Sequence, residues 1–219
     1  MRKLSITAEV ERLINAYLDA KIFVIGEGYY DEIDWQEDIS FEQINESDFL
    51  REAAWVILSS GMRESVIRKK FGEISNAFFQ WKSATHIVLN SQKCLEEARK
   101  HFNNTKKLES IVIIARQIYL TGFTQIKYYV ELEGIDYLSR FPYMGPATSY
   151  HFAKNIGICV AKPDRHLIRI AEKAGYSSPQ LLCTEISKAI DEKVSVIDLV
   201  FWRYATLQRN YLDLFNYQS

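Results

Sequence analysis

Apolar residues recur at helical spacing along almost the whole chain, and period-two alternation is confined to the short Lys21 to Ile25 stretch. Such a pattern restricts the chain to an all-α fold, because a helix-period stripe cannot bury one face of a strand. The spacing predicts helices over about 7–20, 47–60, 63–81, 91–102, 106–121, 123–132, 146–156, 165–174, 179–192 and 196–210. The punctuation agrees. Gly122, Gly157 and Gly175 sit where helices stop, Pro146 and Pro179 fit first-turn positions, and Ser195 with Asp198 resembles a capping box. The acidic, poorly periodic 26–46 segment reads as a long loop or arm.

With 219 residues, 47% of them apolar, the chain has enough material for a buried core in one large domain or two small lobes. Its three cysteines, Cys94, Cys159 and Cys183, are too few and too scattered for a disulfide framework or a paired metal site, so they read as reduced thiols of an intracellular, cytoplasmic protein. Charges between Thr7 and Arg12 interrupt what a signal peptide would need, and no stretch has the length of apolar residues that spans a membrane. A formal net charge of −1 excludes a protein that coats nucleic acid by bulk charge. The distribution is uneven, however. Residues 27–52 hold ten acids against one base, net −9, whereas residues 139–176 hold six bases against two acids, net +4. An anionic ligand would prefer the second region.

That region contains a tight turn between two helices: Asp136 to Arg140, then Phe141-Pro142-Tyr143-Met144-Gly145, then Pro146 to Ile156. A helix entered through such a turn offers unpaired backbone N–H groups and a positive partial charge to a phosphate, with no dependence on base sequence. Most Pro- and Gly-bearing turns only reverse the chain, so the turn alone decides nothing. Asp164 follows Pro163 and precedes the apolar pattern of Leu167, Ile168 and Ile170, which makes it a preferred N-cap.

In this order the residues resemble the helix-hairpin-helix (HhH-GPD) DNA glycosylase superfamily, whose pattern is Leu-Pro-Gly-x-Gly-x-x-Thr-Ala, a helix, a loop and Asp-x-His-x-x-Arg. The matching residues are Phe141 to Ser149, the loop from Gly157 to Pro163, and Asp164-Arg165-His166-Leu167-Ile168-Arg169. Gly122-Phe123 with Lys127 looks like the family's step before the hairpin, and Ile57-Leu58-Ser59-Ser60-Gly61-Met62 looks like its Ile-Leu-Ser-x-Gln segment. The resemblance covers about 53–205. It implies one glycosylase-like unit over 1–219 made of two helical lobes with a DNA-binding cleft between them, and a helix-hairpin-helix at 136–156. Three departures stand out. Ala147 occupies the position of the Schiff-base lysine of bifunctional members, Tyr143 replaces the hairpin's first glycine, and the gap-filling glutamine falls near Gly61.

The resemblance therefore implies a monofunctional enzyme that hydrolyses the N-glycosidic bond of a damaged or modified base in duplex DNA during base-excision repair, without a lyase step. Bond cleavage develops an oxocarbenium-like sugar, and a carboxylate is the group that stabilises it; Asp164 would be cap and catalyst together. Tyr143, Gly145, Ala147 and Thr148 would hold a phosphate through their amides, with Lys154, Arg165 and Arg169 adding salt-dependent attraction. Extruding the base requires a lined pocket and a wedge, for which Trp55, Met62, Arg63, Tyr150 and Trp202 are the candidates. Carbonyls of Ser139, Phe141 and Met144 could ligate a monovalent cation, potassium or sodium; no iron–sulfur cluster is implied. The expected partner is lesion-bearing duplex DNA, with no membrane, and the expected state is a monomer. The rivals are a catalytically inactive helix-hairpin-helix DNA-binding protein and a helical adaptor that docks through its acidic segment.

Overall fold

The computed structural model describes residues 7–216, which form helices and no strand. In chain order the helices are α1 (Ala8–Gly26), α2 (Tyr30–Asp38), α3 (Glu46–Ser59), α4 (Glu64–Ala77), α5 (Ala84–Leu89), α6 (Ser91–Arg99), α7 (Thr105–Thr121), α8 (Phe123–Glu133), α9 (Ile135–Leu138), α10 (Pro146–Asn155), α11 (Arg165–Lys173), α12 (Pro179–Ile190) and α13 (Val194–Leu207). Short 3-10 turns follow α4 (Phe79–Trp81) and α13 (Tyr211–Phe215). None of the described helices is long and apolar enough to cross a membrane. The chain divides into two compact units, Met1–Ile39 with Gly157–Ser219, and Ser40–Ile156.

In the first unit α1 packs against α13 and α12, and α11 packs against both α12 and α13. Leu13, Tyr17 and Val24 of α1 meet Leu167 and Ile170 of α11, Leu182 and Ile186 of α12, and Val200 and Phe201 of α13 in one core. A polar link closes it: the buried Tyr17 hydroxyl donates to Glu192 at 2.6 Å, and Lys21 pairs with the same carboxylate.

The 26–46 segment departs from the expected loop, because Tyr30–Asp38 is helical. Its own sequence supplies little amphipathic drive, and tertiary contacts supply the rest. Ile33 and Gln36 are buried, and Arg203 of α13 holds Glu32 through its Nε and Nη2 at 3.0 and 2.7 Å. Lys193 donates to the Glu37 carbonyl and, at 3.1 Å, to the Ile39 carbonyl, satisfying acceptors that a helix end leaves open. The Lys21–Ile25 stretch lies inside α1.

In the second unit α3 is the central element, packing on α4, α7 and α10. Phe49, Leu50, Ala53, Ala54, Val56, Ile57 and Leu58 are all buried, so this helix is apolar nearly all round. The Phe49 ring meets Phe123 of α8, Phe141 of the α9–α10 turn and Phe152 of α10 edge-on, at centroid distances of 5.5, 6.1 and 4.8 Å. Each such pair adds about 0.5–1.5 kcal/mol beyond burial. The turn is thereby fixed to the core through Phe141.

Candidate functional site

The residues that the sequence points to fall into two clusters, one in each unit. In the unit Ser40–Ile156 the four-residue α9, the turn 139–145 and the ten-residue α10 follow one another. Leu138, Phe141 and Met144 are buried beneath the turn. The Phe141 carbonyl accepts the Met144 amide at 3.1 Å, and the Gly145 carbonyl accepts the Ser149 amide at 2.9 Å. Thr148 Oγ1 donates to the carbonyls of Tyr143 (2.7 Å) and Gly145 (3.2 Å). The amides of Tyr143, Gly145, Ala147 and Thr148 find no acceptor among the described residues. These four N–H groups lie at or just before the head of a helix that carries no acid in its first turn, where backbone donors are left without intrahelical partners. The carbonyls of Ser139 and Met144 accept no hydrogen bond among the described residues, so two of the three expected cation ligands are open and the Phe141 oxygen is shared with an amide.

Tyr143 stands at φ +63°, in the left-handed region, where a side chain costs about 1–2 kcal/mol. The position at which the resembled motif has glycine thus does require a positive φ, and this tyrosine bears the strain. Gly145 does not require its glycine for conformation: its φ is −73°, and a Cβ there would meet only Thr148 Oγ1 at 3.9 Å. Its bare backbone leaves the turn surface open.

Two polar contacts that the sequence reading missed fix this unit. Glu52 of α3, 8% exposed, accepts from Asn155 Nδ2 of α10 at 2.9 Å. Burial raises its pKa, against the pull of Arg51 and Asn155. Lys107 of α7, 4% exposed, donates to the carbonyls of Leu58 (2.9 Å) and Ser60, and its ammonium lies 5.9 Å from the Tyr143 ring centroid. It closes the C-terminal end of α3 and sets the Gly61–Met62 turn in relation to the hairpin. Burial lowers its pKa. Lys127 donates to the Glu42 carbonyl at 2.8 Å and so ties down the segment before α3.

In the other unit, the loop 157–163 delivers Asp164. The Ala161 amide donates to Gln180 Oε1 of α12 at 2.8 Å, and the Lys162 amide donates to Asp198 Oδ1 of α13 at 2.7 Å. Asp198 is 1% exposed, and α13 starts at Val194 after Lys193; the expected Ser195–Asp198 capping box is replaced by this clamp on the loop. Asp164 is extended, with φ −88° and ψ 171°, and caps α11. Its Oδ1 accepts the amides of both His166 (2.9 Å) and Leu167 (3.0 Å). Its Oδ2 accepts no hydrogen bond among the described residues, and the side chain is half-buried. One carboxylate oxygen is committed to the helix and the other is available to a ligand.

Arg165 and Arg169 are exposed on α11, in the same unit as Asp164. Lys154 differs from expectation: it is 8% exposed and engaged within the protein, so it does not offer its ammonium to a surface ligand. Trp55 packs edge-on against Phe71 at 5.1 Å, with the Arg68 guanidinium over its ring. Trp202 packs against the core of the first unit, under the Arg203 guanidinium at 4.7 Å. Tyr150 is half-buried, while Met62 (42% exposed) and Arg63 stand at the surface. Met62 borders a cavity of about 600 Å³ together with Lys70, Phe102 and residues 103–106. Trp55, Met62, Arg63, Tyr150 and the hairpin share one unit; Asp164 and Trp202 share the other.

No protein-family model matches the chain, and no curated protein matches it.

Proposed function

We propose that the protein is a monofunctional DNA glycosylase of the two-lobed helix-hairpin-helix type, acting on a damaged or modified base extruded from duplex DNA. The observation that carries this reading is the divided carboxylate of Asp164, one oxygen bound to two helix amides and the other open. An aspartate so placed is held rigidly and offers fixed negative charge to a sugar that becomes cationic as its base leaves. The open amides of Tyr143, Gly145, Ala147 and Thr148 support a sequence-independent grip on the DNA backbone. Arg165 and Arg169 add long-range attraction. The carbonyls of Ser139, Phe141 and Met144 would hold a monovalent cation, which supplies positive charge near that phosphate. With alanine at position 147, the reaction ends at an abasic site.

A DNA-binding module without turnover is the second reading. It is favoured by the cap itself, since two amide bonds already give Asp164 a structural role. The test is base release from duplexes carrying oxidised, deaminated, alkylated or mismatched bases, with and without alkali, by wild type and Asp164→Asn. Strand breaks that require alkali and vanish in Asp164→Asn are the expected result. Salt-dependent duplex binding with no release from any duplex would favour the binding module, and breaks without alkali would remove the argument from Ala147.

A further inference from the structure

His166, the second residue of α11, donates its amide to Asp164 Oδ1, and the carboxylate acts electrostatically on its ring. Neither ring nitrogen has an acceptor among the described residues. Nε2 receives the Nε–H of Arg165 at 3.2 Å, and since a guanidinium is always protonated, Nε2 must present a lone pair. The ring's proton therefore sits on Nδ1, which is buried and unpartnered among the described residues. Tyr211, 7% exposed in the C-terminal 3-10 turn, closes over the ring edge-on, with centroids 5.3 Å apart. A second proton, on Nε2, would have to displace the Arg165 contact in a ring that Tyr211 shields from water.

We propose that Arg165 and Tyr211 hold the His166 imidazole neutral, as positioning residues, so that the open oxygen of Asp164 keeps its full negative charge for a cationic sugar. This inference rests on the glycosylase reading and deepens it: the site would select a positively charged, ring-flattened sugar over a neutral one, through an unneutralised carboxylate. The groups acting on the ring are few. Burial lowers its pKa most; Asp164 raises it, and Arg165 and Arg169 lower it. The other elements packed against α11 are α12, α13 and the C-terminal turn. Those elements carry Cys183, Glu185 and Lys188 on α12, Asp198, Arg203 and Tyr204 on α13, and Tyr211 and Asp213 in the turn; Asp198 accepts the Lys162 amide, Asp213 accepts from Asn216, Arg203 holds Glu32, and the Tyr211 ring meets the imidazole.

The sign follows. Below the depressed pKa an imidazolium would offset Asp164 and weaken its hold on a cation; above it the carboxylate acts alone. Removing the Tyr211 ring returns the imidazole to solvent and moves that transition to higher pH.

The experiment uses the full chain and two duplexes that need no knowledge of the lesion, one with a pyrrolidine abasic-sugar analogue, cationic, and one with tetrahydrofuran, neutral. The ratio of their affinities is measured from pH 5 to 8, alongside NMR titration of the His166 ring in the free protein. Wild type should keep its preference for the cationic analogue at pH values where ordinary imidazoles are protonated. As pH falls, Tyr211→Ala should lose that preference sooner than wild type, Tyr211→Phe should keep the wild-type profile, and His166→Lys should reduce the ratio at every pH by about tenfold. His166→Gln should flatten the profile and keeps the inference testable if Tyr211→Ala does not fold. A His166 ring titrating at an ordinary imidazole pKa in wild type, or a His166→Lys protein with an undiminished ratio, overturns the inference alone. A wild type that makes no distinction between the analogues at any pH overturns the glycosylase reading and this inference with it.

Discussion

Asp164 is assigned two roles on two oxygens, and substitution can separate them. Asparagine is as good an N-cap as aspartate, because its carbonyl oxygen accepts the same amides. Asp164→Asn should therefore retain the bonds from His166 (2.9 Å) and Leu167 (3.0 Å) while losing the charge. Asp164→Ala loses the single oxygen that accepts two amides at the head of α11. Loss of such a cap costs about 0.5–2 kcal/mol, typically ~1. For a chain of 219 residues this corresponds to a fall in Tm of about 2–4 °C per kcal/mol. Asp164→Asn should remain within about 0.5 kcal/mol of wild type. Its base release should nonetheless fall by about 10²–10³-fold, the usual cost of removing one preorganised electrostatic group. Calorimetry or thermal denaturation monitored by circular dichroism provides the stability arm, and single-turnover base release the other. Equal destabilisation by the two substitutions would refute the capping argument. Equal activity of Asp164→Asn and wild type would refute the catalytic one.

Three further outcomes follow from the supporting contacts. Asp198→Ala leaves the Lys162 amide without its 2.7 Å acceptor and should cost about 1–3 kcal/mol, with faster hydrogen exchange at Lys162 as the local signature. Glu52→Gln keeps an acceptor for Asn155 and removes a buried charge. Because the folded-state pKa of Glu52 is raised, its favourable contribution is complete below the unfolded carboxyl pKa and is lost as pH rises through the folded value; the glutamine variant should thus melt above wild type at neutral pH, with the gap closing on acidification. Tyr143→Gly relieves a left-handed tyrosine worth about 1–2 kcal/mol of strain, offset by about 0.5–1 kcal/mol of glycine entropy, so Tm should hold or rise slightly and duplex affinity should persist. A drop of several degrees would mean that the Lys107–Tyr143 contact outweighs the strain.

The helical class was legible because apolar spacing is a local property, and so were the signals at Pro146 and Asp164, each read from its immediate neighbours. The helix α2 was not. Its stability depends on Arg203, 171 residues from Glu32, and on Lys193, 156 residues from Glu37, and no local window contains those partners. Lys154 looked like a surface cation for the same reason: whether a lysine stem is covered depends on the helix packed over it. Asp198 read as a cap because its neighbours fit a capping box, yet its acceptor role is set by Lys162, 36 residues away. Lys107 carried no signal, since the carbonyls it bonds lie 47 and 49 residues earlier. Tyr211 over His166 was hidden likewise, one aromatic in a chain where 13% of residues are aromatic. The positive φ at Tyr143 had a visible sign only through the motif, because tyrosine does not itself ask for that conformation.

The most direct test of the central claim compares the binding of wild type and Asp164→Asn to duplexes that differ only in the charge of an abasic-sugar analogue. It requires neither the lesion nor turnover. If Asp164 presents an open carboxylate to an oxocarbenium-like sugar, wild type binds the pyrrolidine duplex at least tenfold more tightly than the tetrahydrofuran duplex, and Asp164→Asn binds the two alike. An undiminished preference in Asp164→Asn, or none in wild type, would contradict the account and leave Asp164 as a helix cap.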